Sequence, residues 1–366
     1  MRRMTTTPDT HADPAPTVGR SVDWGVAASV GERLARPAPP VTDYTRTQVI
    51  DELAAASRAA EPPVREVTGL HTEGAIPDAR IVDRREWIRA AAASMRVMTG
   101  GDVEPAASPH PLAAVTGKVA GAQTGAVLSF VSSGILGQYD PFGSADGVLL
   151  LVYPNVIAVE RQLRLRPADF RLWVCLHEVT HRVQFTANPW LAEHMSRQLA
   201  TLTHDMGEDV GAVAGRLAAY VRSRRDRESV GPEDPSSRGV LGLMRAVQSE
   251  PQRAALDRLL VLGTLLEGHA DHVMDAVGPA VVPSVATIRN RFDARRQRKQ
   301  PPLQRILRAL LGIDAKLSQY TRGKAFVDDV VGRVGMDRFN RIWDSPATLP
   351  LPDEIDQPQR WIDRVL

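Results

Sequence analysis

The sequence is short of cysteine: Cys175 is the one thiol in 366 residues. A single thiol closes no internal disulfide and builds no cysteine-rich metal site. That excludes a secreted, disulfide-stapled scaffold and makes a reducing cytoplasm the expected compartment. Any metal must then rely on histidine and carboxylate. Net charge is missing too. Lys+Arg 45 against Asp+Glu 43 leaves +2, so no chain-wide field would hold nucleic acid or an anionic membrane. A clean apolar run is also absent. The uncharged stretch 119–139 is long enough on paper for the roughly 20 residues of a membrane span. It is diluted by Gln123, Thr124, Ser129, Ser132, Ser133 and four glycines, bounded by Lys118 and Asp140, and flanked by no basic cluster. A buried helix is the expectation, and Gly117, Gly121 and Gly125 at steps of four point to close helix–helix contact. Residues 1–20 open with two arginines but have no apolar core, so they read as a disordered tail and not a signal peptide.

What is present is ordinary in amount, with hydrophobic residues at 43% and charged residues at 24%, as in a globular protein. Helical periodicity predicts helices over 44–60, with Thr42 as a cap and a stop at Pro62-Pro63, and over 83–98. Further helices are predicted over 167–186, from 189 to about 202, and over 251–277. Residues 147–152 read as a strand, and 228–239 as a polar loop. No repeat or interdomain linker stands out. The expected architecture is one mainly α domain over 21–366 with a small β-sheet.

Within the predicted helix 167–186 lies Leu176-His177-Glu178-Val179-Thr180-His181, an HExxH sequence. Chance would place one in roughly one chain in a hundred of this size and composition. His177 and His181 fall one helical turn apart on the same face, so both imidazoles can reach one ion. Glu178 is rotated off that face, where it can hold a water bound to the metal. A zinc site with an open position needs a third protein ligand, after which the ion acidifies the water and the carboxylate relays its proton to the leaving amine. The longer form HExxHxxGxxH does not apply, because Gln184 and Ala187 stand where its glycine and third histidine belong. Third-ligand candidates on the following helix are Glu193, His194, His204, Asp205 and Glu208. Leu266-Glu267-Gly268-His269-Ala270-Asp271-His272 offers a better one. Glu267 would ligate, Asp271 one turn on would accept the free N–H of a ligating imidazole, and Gly268 would let the two helices approach. His269 and His272 are secondary ligand candidates, more simply read as a polar helix face near the site.

HEVTHRVQF with EGHAD resembles the gluzincin branch of zinc metallopeptidases, in which a downstream glutamate completes the site and an acid four residues later supports a histidine. The resemblance implies His177, His181 and Glu267 as ligands of one zinc ion, Glu178 as general base and Asp271 as orienting acid. The 85 residues between His181 and Glu267 exceed the spacing in thermolysin-like members. Nearly the whole chain after the tail is similar to a narrower bacterial family of zincin-like metallopeptidases or hydrolases. That similarity rests on Val22-Asp23-Trp24, Leu136-Gly137-Gln138-Tyr139-Asp140-Pro141, the HExxH helix, Pro301-Pro302-Leu303 and Gly335 through Trp343. Members are often labelled as associated with deazaflavin coenzyme biosynthesis, a label of association that names no bound cofactor. The resemblance implies a zincin-like fold and says little about the substrate.

Amide hydrolysis needs a donor for the developing oxyanion; Tyr320 is a candidate, with His272 second. If the strand 147–152 is an edge, a peptide could add to it. Cys175 reads as an inert core thiol. The basic run 289–299 holds only Phe292 as an aromatic and reads as a solvated helix end rather than a nucleic-acid surface. The expected function is a cytoplasmic zinc-dependent hydrolase acting on a peptide or protein, with neither nucleic acid nor membrane as partner. The alternatives are a silent zinc-binding interaction protein of the same fold and a nucleic-acid-binding helical protein.

Overall fold

The structure, a computed structural model, describes residues 21–72, 76–101, 111–203, 249–297 and 313–366. The expected tail 1–20, the loop 228–239, Pro301-Pro302-Leu303 and the candidates His204, Asp205 and Glu208 lie outside the described residues.

The elements in chain order are α1 (Trp24–Leu34), α2 (Asp43–Ala59), α3 (Glu61–Thr68), β1 (Arg80–Val82), α4 (Arg84–Met98), α5 (Pro111–Ser132), β2 (Gly137–Asp140), β3 (Val148–Val152), α6 (Tyr153–Leu163), α7 (Pro167–Ala187), α8 (Trp190–Thr203), α9 (Glu250–Val281), α10 (Val285–Gln297), α11 (Ile313–Val334), α12 (Met336–Phe339), a 3-10 turn (Asn340–Trp343) and α13 (Pro358–Val365). The chain is thus mainly α with a small mixed sheet. Several boundaries follow local chemistry. Thr42 caps α2 by accepting from Thr45 N at 3.1 Å. Asp83 and Glu86 form a reciprocal capping box at the start of α4. Pro62-Pro63 does not leave a loop behind α2; it sits in the first turn of α3, where proline's missing N–H is harmless.

The sheet order is β1-β3-β2, with β1 parallel and β2 antiparallel to β3. The strand foreseen at 147–152 is therefore central, not an edge. Both of its backbone sides are used, and its VLLLV sequence is continuously apolar because both faces are covered. Leu150 and Val152 pack with Val82, Trp87, Ile88 and Leu128, whereas Leu149 and Leu151 join the core that contains Val174, Val179 and Leu176. Full burial of such a side chain contributes roughly 1.5–3 kcal/mol.

The uncharged run 119–139 is not one helix: α5 ends at Ser132, and Gly137–Asp140 is the edge strand β2. Among the described residues, no helix is long and apolar enough to cross a membrane. The glycine steps of α5 do mark a close crossing, with α1. A Cβ on Gly121 would stand 2.3 Å from the Asp23 carbonyl oxygen, and one on Gly125 2.4 Å from that of Ala27. Asn155, in the first turn of α6, fixes the entry to β2. Its side-chain nitrogen donates to Ser132 O at 2.7 Å and to Ile135 O at 2.5 Å, and its oxygen accepts from Arg84.

The long helix α9 packs on α7, α8 and α11. Gly268 serves the α11 crossing and not the approach to α7: a Cβ there would meet Gly323 carbonyl carbon at 2.2 Å. Gly323 in turn faces Thr264 O at 2.0 Å from its own virtual Cβ. Helix backbones approach this closely only where a glycine leaves out the side chain at the contact.

Candidate metal centre

On α7 the HExxH spacing places two imidazoles one above the other, with Nε2 of His177 and of His181 3.2 Å apart and the rings nearly perpendicular at 88°. From α9, Oε2 of Glu267 reaches to 3.4 Å from His177 Nε2 and 3.7 Å from His181 Nε2. Among the described residues, these three form the one cluster of potential metal-ligand atoms.

The donor set fits zinc. Around a tetrahedral ion with bonds of about 2.0–2.1 Å, neighbouring ligand atoms stand roughly 3.3–3.4 Å apart, close to the 3.2, 3.4 and 3.7 Å edges of this triangle. Oε2 of Glu267 is moreover buried without a hydrogen-bond partner, an arrangement that would be costly if nothing else were to meet it. Two neutral imidazoles and one carboxylate leave the fourth position open, as in catalytic zinc sites.

Glu178 lies outside the triangle, 7% exposed. It packs on β2 at Gly137, where an added Cβ would come within 2.6 Å of Glu178 Cγ and 2.8 Å of its Cδ. That glycine belongs to the site's surroundings without being marked as such by any metal-site motif. The sequence shows it as a glycine of the 119–139 run and of the Leu136–Pro141 segment that carries the family resemblance, and its role depends on β2 lying beside α7.

Charge and burial set the protonation states. Burial pushes the Glu178 carboxyl up, opposed by the two histidines. Burial also raises the Glu267 carboxyl, yet contact with His177 and His181 and their charges hold it well below the usual range. For His177, burial lowers the pKa, but Glu267, then the charges of Glu178, Glu267 and Asp271, outweigh it and raise the group to about 9.

A pH dependence follows for the metal-free protein. Zinc requires a neutral imidazole and must displace the His177 proton, so zinc affinity should rise about tenfold per pH unit from roughly pH 7 and level off near 9. Stability of the metal-free chain runs the other way. A histidine whose folded pKa lies above its unfolded value near 6.5 contributes fully below that value, and the contribution disappears as pH rises through about 9. Chelator-competition titrations and metal-free melting temperatures across this window check both trends. A flat zinc affinity would show that His177 holds no such proton.

The structure separates the other candidates. Asp271 is engaged by Arg289: its Oδ1 faces Arg289 Nη1 at 3.3 Å and its carbonyl accepts from Arg289 Nη2 at 2.9 Å, so its effect on His177 is one of charge. It makes no hydrogen bond to His177 or His181 among the described residues, because the rotation of α9 turns it toward α10. The contact at His181 Nδ1 is Gln184 Oε1, at 2.9 Å. His269 is not on a polar face but fully buried, 5.5 Å between ring centroids from both Phe339 and Trp343. Burial, then the charges of His272 and His181, push it down to about 3. The Gly335–Trp343 segment thus supplies an aromatic wall behind the site. His272 pairs with Asp328 Oδ1 at 2.7 Å, and Asp328 also pairs with Lys324. Tyr320 is in α11, but its side chain lies outside the described residues. Glu193 is on the surface beside Arg197 at 3.7 Å, and His194 is buried against Trp190. Cys175 is fully buried, and burial, with the Glu178 charge, pushes its thiol upward. In the basic run, Arg289 is spent on Asp271 and Asp275, and Arg291 donates to the carbonyls of Leu163 and Arg164 at the end of α6.

Comparison with known proteins fits this geometry. A sequence profile for a family described as zincin-like metallopeptidase matches residues 22–362. The crystal structure of a protein from Chloroflexus aurantiacus, provisionally described as a hydrolase with a novel fold, is similar at 30% identity and a TM-score of 0.64, covering 94% of this chain and 98% of that one. Neither description mentions a deazaflavin coenzyme. No curated protein matches the chain.

Proposed function

Because the chain belongs to the family of zincin-like metallopeptidases, we propose that it is a zinc-dependent hydrolase that cleaves amide bonds in peptides. The observation that carries the reading is the convergence of His177, His181 and Glu267 beside a buried glutamate that is not one of the three. A site serving only to hold a metal has no use for that fourth group.

One zinc ion on these three residues would supply Lewis acidity, polarising an acyl carbonyl and making water acidic near neutral pH. Glu178 is the general base: its carboxylate takes a proton from the attacking water and returns it to the departing amine nitrogen. Burial raises its proton affinity toward the working pH, which favours both transfers.

The sheet supports a peptide as substrate. Leu136 O accepts from Val152 N at 2.8 Å, and Gly137 lies opposite Leu151. In an antiparallel ladder, hydrogen-bonded and open pairs alternate. The N–H and C=O of Gly137 and Tyr139 therefore point off the free edge of β2, where no strand pairs with them among the described residues. An extended peptide adding there would run past Gly137, the residue against which Glu178 packs. The edge beside Glu178 is thus β2, not the strand 147–152.

The test is metal analysis of the purified chain followed by a peptide-library digest. One zinc per chain, and cleavage abolished by a chelator and restored by zinc, is the expected result. Absence of stoichiometric zinc sinks the reading. A zinc-loaded chain that cuts nothing in the library turns it into a silent binding protein.

A further inference from the structure

We propose that Gln184 is a positioning residue that sets which nitrogen of His181 faces the metal and locks the HExxH helix in register with the helix carrying Glu267. The inference rests on the zinc reading above.

The argument starts from a backbone carbonyl, which can only accept. Gln184 is fully buried, and its side-chain Nε2 lies 3.0 Å from Leu266 O. That contact requires the amide nitrogen, since an oxygen there would face another oxygen. With the nitrogen so placed, its second hydrogen points to His269 Nδ1 at 2.9 Å, which must accept. Oε1 is then left for His181 Nδ1, 2.9 Å away, and a carbonyl oxygen can only accept, so His181 Nδ1 must be the donor. In neutral His181 the lone pair therefore sits on Nε2. This is the atom 3.2 Å from His177 Nε2 and 3.7 Å from Glu267 Oε2.

One amide accordingly does two things. It fixes the coordinating tautomer of one ligand, and it grips the carbonyl of Leu266, the residue immediately before another ligand. Gln184 and His181 are three apart on α7, so they share a face. The family pattern quoted above assigns the outer contact of a histidine to an acid on the downstream helix. Here that acid, Asp271, is held by Arg289, and the outer contact of His181 is an amide on its own helix. A ligating histidine is commonly steadied through its other ring nitrogen, and removing such a contact typically weakens metal binding about 10–100-fold.

The test uses the full chain. Zinc affinity is measured by competition with a fluorescent chelator for wild type, Gln184→Leu and Gln184→Glu. In parallel, the His181 tautomer is read by long-range proton–nitrogen NMR of the zinc-loaded, histidine-labelled wild type. Gln184→Leu should bind zinc 10–100-fold more weakly, and Gln184→Glu, which keeps an acceptor at His181 Nδ1, less than tenfold more weakly. Wild-type His181 should show a slowly exchanging Nδ1 proton with the metal on Nε2. A folded Gln184→Leu that binds zinc as tightly as wild type overturns the proposal, even if it melts earlier, because a helix clamp alone would lower stability and spare affinity. Coordination of wild-type His181 through Nδ1 overturns it as well. Should Gln184→Leu fail to fold, the glutamate variant and the wild-type spectrum still decide. A wild type that binds no zinc is a different failure, that of the zinc reading itself.

Discussion

Glu178→Gln should keep the zinc content of the wild type and lower the hydrolytic rate about 10²–10⁴-fold, the range of general acid–base contributions. That corresponds to roughly 2.7–5.4 kcal/mol of transition-state stabilisation. Zinc content should hold because Glu178 is not among the clustered ligand atoms. Glutamine has the same shape, so the packing against Gly137 survives. What disappears is the ability to accept a proton. Stability should move slightly in the variant's favour. A buried carboxyl with raised pKa contributes stability below its unfolded pKa near 4.5 and loses it as pH rises, so at neutral pH a neutral amide removes a burdened charge. Turnover, zinc content and melting temperature measured on the same preparation check all three parts. An unchanged rate would remove Glu178 from the chemistry, and lost zinc would make it a ligand.

The second large effect is expected at Glu267. Glu267→Ala should weaken zinc binding by more than the roughly 100-fold that an outer contact accounts for, because it removes the one oxygen that closes the triangle with His177 and His181. Glu193→Ala, on an exposed side chain beside Arg197, should leave affinity unchanged. Asp271→Asn should have a smaller effect than Gln184→Leu, since its carboxylate faces Arg289. Chelator competition on the three variants orders them. Loss of zinc in Glu193→Ala with retention in Glu267→Ala would reverse the ligand assignment. The metal-free protein offers a second readout: without Glu267, His177 loses the contact that raises it most, so its titration should fall from about 9 toward the ordinary histidine range near 6.5.

Much of the site was legible locally. His177, Glu178 and His181 sit within one helix, where spacing alone fixes which side chains share a face, and no tertiary contact is needed to know it. Glu267 and Asp271 were legible as a pair one turn apart, but only packing tells which of them turns toward α7. The structure sends Glu267 to the histidines and Asp271 to Arg289. Gln184 stands within HEVTHRVQF, where the longer motif would have its glycine, and its spacing of three from His181 puts the two on one face, but only packing brings its amide to Leu266 O. Gly268 marks a point of close approach, but a missing side chain does not say which helix fills the space, and here it is α11 rather than α7.

The sequence by itself determined the chemistry on offer: histidines and carboxylates suited to hold a metal, a further glutamate beside the first of them, and mostly helical elements to carry them. Residue type and helical or strand period are local properties, and a single thiol closes no internal disulfide wherever the chain goes. Only the tertiary structure decided what met what. It made β3 a central strand and β2 the free edge beside Glu178, buried His269 behind an aromatic wall, and gave the support of His181 to an amide rather than an acid. Those outcomes depend on how far each helix is rotated and which backbones can touch, and both are set by packing between segments distant in sequence.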